Sequence, residues 1–295
     1  MHEFLVILII HSVFSTNDSF KNDTEVNSNK TEVSSCSTNN YPFMISIRET
    51  KRFRRHLCGG TLITRDLVLT AAHCIDLDNF HPKKFIAVLF TSSFKVNGDE
   101  QKNVRAFYTH PKYKENPLEY DVGLVKLKHP FFRKLSVVKM PPKKLHGDLN
   151  EICQNVLALG WGVQELWNPW NKTQDTAADV FDGSLRCAYM PVLYNLTCIE
   201  GKDDVNFCTI FKDEGKDSCI RDTGGPLLCK DIQYGIMLHA LCGVKEKPAV
   251  HLRVDRILDF IQDVTVKSRS DFPQLSDFLF PILLIIQFGS SVNRT

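Results

Sequence analysis

Three stretches of this chain carry side chains that can work together on an acyl group: LTAAHC at 69–74, YDVGLVKL at 120–127 and DSCIRDTGGPLLC at 217–229. A histidine, a carboxylate and a hydroxyl are the three groups of a base, an orienting acid and a nucleophile. Here they arrive in the order His73, Asp121, Thr223. The hydroxyl belongs to a threonine, so the question is whether this arrangement cuts or only looks as if it should.

Holding such groups in place falls to short strands. From Tyr41 onward apolar runs recur between turn signals: PFMISI, DLVLTAA, FIAVLF, VGLVKL, NVLALGW, GPLLC, YGIMLHAL and AVHLRV. Many short strands punctuated by Gly and Pro predict an all-β sandwich or barrel. One late segment differs. VDRILDFIQDVTVK, 254–267, sets Ile257, Phe260, Ile261 and Val264 at helical spacing, which predicts a C-terminal α-helix.

The chain has 295 residues, 43% of them hydrophobic, enough for a packed core. A net charge of +2 argues neither for nucleic acid nor for a strongly acidic partner. Residues 1–15 read as a signal peptide, with an apolar run from Phe4 to Ile10 and small Val13 and Ser15 before the cut. Ten cysteines fit an oxidising, secreted setting. Sequons at Asn17, Asn22, Asn29, Asn171, Asn195 and Asn293 point the same way. Residues 16–35 are Asn/Ser/Thr-rich and read as a disordered, sequon-bearing arm. The tail, 268–295, holds an apolar run of about a dozen residues, below the roughly 18 of a spanning helix. It is either a peripheral apolar tail or an anchor signal near Ser268, Ser270 or Ser276, and membrane attachment is not the expectation.

The motifs CGGTLI, LTAAHC, GWG and DTGGPLLC occur in this order, and residues 36–267 resemble the trypsin-like serine protease family. The resemblance implies an all-β domain of two packed six-stranded antiparallel β-barrels with a C-terminal α-helix, and a site in the cleft between them. It implies that His73 is the general base and that Asp121 fixes its tautomer. It also implies five disulfides: Cys36–Cys187, Cys58–Cys74, Cys153–Cys229, Cys198–Cys208 and Cys219–Cys242. No metal or other cofactor is expected.

Several residues depart from the family pattern. Thr223 stands where the nucleophilic serine is expected, and its β-branch restricts χ1 in a tight turn. Arg221 replaces a glycine whose amide, with that of Thr223, forms the oxyanion hole. Asp217 matches the aspartate that selects Lys and Arg, but Ala249 replaces a glycine on the pocket wall. The substrate-pairing Ser-Trp-Gly stretch reads MLHA at 237–240, one residue short before Cys242, without the serine that would bond Asp121. Cleavage after Lys30 frees the polar Thr31-Glu32-Val33 and not an Ile-Val-Gly-Gly terminus. Ser46, His56 and Asp222 match the network that holds the family's uncleaved precursors; the alternative is that Ser46 and His56 only pack the barrel.

Two surface segments stand out. RETKRFRRH, 48–56, places Arg48, Lys51, Arg52, Arg54 and Arg55 in a basic loop, solvated or anion-binding. ELWNPWNKT, 165–173, offers Trp167 and Trp170 as a contact surface. The expected function is that of a secreted, inactive protease homologue binding an extracellular protease, inhibitor or protease substrate. The alternative is a weak trypsin-like endopeptidase cleaving after Lys or Arg with Thr223.

Overall fold

A computed structural model describes residues 34–50, 56–76, 82, 85–89, 100–115, 119–132, 135–161, 184–193, 204–210, 223–239 and 248–270. Strands β2 (Met44–Glu49), β3 (His56–Thr64), β4 (Leu67–Thr70), β5 (Phe85–Leu89), β6 (Glu100–Thr109) and β7 (Gly123–Leu127) close into an antiparallel barrel. Its circular order is β2-β3-β4-β7-β6-β5. Strands β4, β5 and β7 are buried from end to end. That is why they read as continuous apolar runs and not as alternating ones. The exception within β7, Lys126, is buried and pairs with Asp66 at 2.8 Å.

The second sheet contains β8 (Asn155–Gly160), β9 (Arg186–Pro191), β10 (Asn206–Thr209), β11 (Pro226–Cys229), β12 (Ile232–His239) and β13 (Ala249–Arg253). Their order is β9-β8-β11-β12-β13-β10, a half-barrel where the resemblance implies a second closed barrel, because no strand ladder joins β9 to β10 among the described residues. The two ends of this row meet in an antiparallel bridge between Val192 and Thr209, and the Leu193 N–H donates to the Cys208 carbonyl at 2.9 Å. Ser34–Ser35, at the end of the stretch read as a disordered arm, form β1 and pair with β9.

Helix α1 (Leu258–Ser270) follows a short 3-10 turn, Val254–Arg256, so the predicted helix begins a turn later than its apolar spacing suggested. Ile261, Val264 and Ser268 lie on its buried face. Phe260 reaches the other barrel, edge-on to His110 with ring centroids 4.9 Å apart. The helix that leaves the second barrel therefore fastens onto the first.

Cys36 is joined to Cys187, Cys58 to Cys74 and Cys153 to Cys229. Cys208 is also disulfide-bonded; Cys198, Cys219 and Cys242 lie outside the described residues. The barrels are tied by polar contacts at their seam. Thr61 Oγ1 donates to Gln233 Oε1 at 2.7 Å, and the Gly59 N–H donates to the Thr223 carbonyl at 2.9 Å.

Candidate active site

His73 sits in the short 3-10 turn Ala72–Cys74 just after β4. Close packing brings that turn onto β7. A Cβ built on Gly123 would lie 2.4 Å from Ile75 Cδ1 and 3.1 Å from its Cγ1, so a larger residue there would have to displace the Ile75 side chain. Asp121 is two residues upstream of Gly123 and has no exposed side-chain surface. Its Oδ1 accepts the His73 backbone N–H at 2.9 Å, and its Oδ2 lies 2.5 Å from His73 Nδ1. A carboxylate oxygen accepts, so Nδ1 carries the proton, and in the neutral ring Nε2 presents a lone pair. That is the tautomer a general base needs. The imidazole keeps 30% of its surface exposed.

The approach to Asp121 is built from rings. Tyr120 has φ of 47°, the left-handed region that β-carbon sterics disfavour. Its ring stacks on His110 with centroids 4.6 Å apart and planes 7° from parallel. His110 is itself backed by Phe260. Burial, and then Lys112, push the His110 pKa down, so the stack favours a neutral imidazole. Burial, with Asp121, Asp76 and Glu115 nearby, raises the Tyr113 phenol to about 12. These residues carry no periodic signal in HPKYKENPLEY that would mark them from the sequence.

Thr223 lies at the other side of the seam, in the turn that leads into β11, and is buried. Its carbonyl accepts from Gly59, and the next N–H, of Gly224, donates to the Met237 carbonyl at 2.7 Å. Gly224 has φ of 82°, and a Cβ there would meet Thr70 Oγ1 at 2.2 Å and the Gly59 carbonyl at 2.5 Å. The turn is thus clamped between both barrels by backbone alone. The hydroxyl is clamped as well. Thr223 Oγ1 donates to the Leu238 carbonyl at 3.1 Å. A carbonyl only accepts and a hydroxyl has a single proton, so that proton is not simultaneously offered to His73 Nε2. Leu238 belongs to the MLHA stretch and is buried with an apolar side chain.

His73 also belongs to a sulfur-containing group, with Cys58 and Cys74 ligand atoms within 4.8 Å of one another. Those two sulfurs form one disulfide. A disulfide sulfur is not the thiolate that metals bind, so this cluster is not a metal centre.

Ser46 Oγ lies 2.7 Å from His56 Nδ1, and Arg48 Nε donates to Ser46 Oγ at 3.1 Å. The serine hydroxyl accepts from the guanidinium and shares one further hydrogen bond with the His56 ring, whose direction follows the imidazole tautomer. His56 packs edge-on to Trp161 of the GWG motif. Arg48 is a correction. Its place in a basic run predicted a loop cation, whereas it belongs to β2 and is buried. Strand pairing with β3 and the Ser46 bond draw it inside. Lys51, Arg52, Arg54 and Arg55 lie outside the described residues, as do Asp217, Arg221, Asp222, Trp167 and Trp170, the tail from residue 271 on, and Asn17, Asn22, Asn29, Asn171, Asn195 and Asn293; Ser268 and Ser270, read as the start of the tail, belong to the end of α1.

Ala249 opens β13 opposite Thr209. Two residues on, on the same face of the strand, His251 is buried with Nε2 at 2.7 Å from Thr209 Oγ1. Thr209 Oγ1 in turn points at Met190 Sδ, 3.9 Å away. Placing the imidazole proton on Nε2 satisfies both donors and leaves Nδ1 as an unpartnered acceptor. Burial lowers the His251 pKa to about 3. The only signal of this pair in the sequence is a polar interruption within the apolar run AVHLRV.

Residues 30–261 match the Trypsin family model. Trypsin-3 of Homo sapiens is 30% identical over 236 residues, covering 77% of this chain and 70% of that protein. Trypsin V-B of Rattus norvegicus is 29% identical, covering 77% of this chain and 85% of its own length. Coagulation factor XI of Bos taurus is 29% identical over 243 residues, 76% of this chain but only 36% of that longer protein.

Proposed function

The chain belongs to the trypsin family of serine proteases, and from that premise we propose that it is a secreted member that works by binding another protein and not by cutting it. The observation that carries this reading is the Thr223 hydroxyl, which donates to the Leu238 carbonyl. General-base catalysis needs the nucleophile's proton on the line to the base. The β-methyl hinders a swing to that line by limiting χ1. Loss of a triad nucleophile costs on the order of 10⁶ in turnover and leaves roughly 10³–10⁴ over water.

The activation machinery supports the same reading. The polar Thr31-Glu32-Val33 is a poor substitute for an apolar new N-terminus. An uncompensated buried carboxylate at Asp222 would cost about 3–5 kcal/mol. Ser46 and His56 are already bonded to each other, and in our reading they hold Asp222 in a permanent precursor-like state. A structure with His56 beyond hydrogen-bond distance of Asp222 would count against it.

Secretion is supported by the apolar run at 4–10, the sequons and the disulfides. Among the described residues no helix is long and apolar enough to cross a membrane. The partner in this reading is an extracellular protease, its inhibitor or its substrate. The deciding assay is hydrolysis of Lys- and Arg-terminated peptides by the purified protein beside Thr223→Ala. Equal silence supports the binding role; turnover by the wild type that the variant lacks overturns it.

A second reading, a weak endopeptidase using Thr223 with Asp217 selecting Lys or Arg, is favoured by one observation. The His73–Asp121 pair keeps the geometry of a working base, 2.5 Å between Nδ1 and Oδ2. The same assay decides between the two.

A further inference from the structure

The loop after β7 turns one phenylalanine in and the next one out. Phe131 is fully buried, whereas Phe132 is 77% exposed. Leaving a phenyl ring in water forgoes the gain of burying it, yet this ring does not hang from a loose chain. The Phe132 N–H donates to Glu100 Oε1 at 2.9 Å. Arg65 Nη2 donates to the Phe131 carbonyl at 2.6 Å and to the Phe132 carbonyl at 3.3 Å. Glu100 also holds Lys102 Nζ at 3.0 Å, and that ammonium lies 4.0 Å from the Phe132 ring centroid. A fixed cation thus supports the ring by a cation–π contact while most of its surface faces solvent.

Val137, 39% exposed, flanks the same β3–β4 hairpin: the Phe131 N–H bonds the Arg65 carbonyl, and the Val138 N–H bonds the Leu62 carbonyl. The charges around the patch are unbalanced. Its two acids, Glu100 and Asp66, are each taken up by a nearly buried lysine. Arg65 and Lys128 are exposed and form no ion pair among the described residues. The overall charge of +2 conceals this local excess.

We propose that Phe132 and Val137, rimmed by Arg65 and Lys128, form a docking surface for an acidic protein segment that carries an apolar side chain. Aromatic anchors dominate interface energies, and an anchor already held in place loses little freedom on binding. The cationic rim selects an acidic partner and speeds its approach. This gives the binding role proposed above a partner class and rests on that role. Hydrolysis at Thr223 is scored in a separate assay, so either reading can fail alone.

The test uses the purified full chain. A displayed library of short random peptides is panned on it, and recovered peptides are measured by fluorescence polarisation at low and physiological salt. Acidic peptides containing apolar residues are expected. Phe132→Ala weakens their binding by at least about tenfold without moving the melting temperature, and Lys128→Glu weakens it more at low salt than at high. Val266→Ala, at an exposed valine of α1, leaves binding unchanged. No enriched peptide, peptides without acidic bias, or equal losses in the Phe132 and Val266 variants overturn the proposal.

Discussion

Thr223 Oγ1 lies 3.1 Å from the backbone carbonyl oxygen of Leu238 and donates its proton there. The residue in the nucleophile position therefore spends its hydroxyl proton on the neighbouring strand, beside a base whose tautomer is correct. The two halves of the site disagree.

Thr223→Ser removes the methyl that restricts χ1 and lets the hydroxyl sample the direction of His73. Turnover of an Arg-terminated peptide is expected to rise at least about tenfold over the wild type, with Thr223→Ala no faster than the wild type. No gain in the serine variant would mean that the hydroxyl's direction is not what limits the site.

Asp121→Asn replaces the acceptor of the His73 Nδ1 proton with a side chain that can donate to Nδ1 instead. The ring is expected to shift to the Nε2–H tautomer. The downfield Nδ1 proton resonance of His73 should be present in the wild type and absent in the variant. Because the readout is spectroscopic, it holds whether or not the protein cuts.

Gly224→Ala is expected to destabilise the fold by about 3 kcal/mol or more, since a Cβ would meet backbone oxygen at 2.5 Å and φ is 82°. Urea unfolding measures the effect, and a midpoint equal to that of the wild type would show that the seam between the barrels yields easily.

His251 makes stability depend on pH. Its folded pKa is lowered to about 3 by burial, below the unfolded value of 6.5. The unfolded chain then binds the extra proton between these values. The stabilisation is complete above the unfolded pKa and is lost progressively as pH falls towards the folded one. Between pH 7 and 5 the loss from this group amounts to about 2 kcal/mol. His251→Phe should flatten the pH dependence of the urea midpoint by that amount, and an unchanged slope would remove His251 as its source.

Much of the scaffold was readable along the chain, for local reasons. Buried strands of this barrel need continuous apolar runs, and LVLT and FIAVL supply them. Helix α1 was readable because Ile257, Ile261 and Val264 follow one face. Its first turn was not, because Val254–Arg256 close a 3-10 turn and not an α-helical one. Arg48 was misread because a run of basic residues signals solvent, while the pairing of β2 with β3 buries its first member. The Thr209–His251 pair and the Phe132 platform were missed because each joins residues distant in sequence, and neither has a periodicity to announce it.

The sequence by itself determined the kinds of groups present: a histidine, an aspartate, a threonine where a serine is expected, and cysteines enough to staple the domain. Side-chain identity is a local property and needs no fold to be read. Only the tertiary structure decided where the Thr223 proton goes, which tautomer His73 holds and which of two adjacent phenylalanines faces water. Those are matters of direction, and direction is set by partners on other strands, brought to within 3.1 Å for Thr223 and 2.5 Å for His73 when the barrels close.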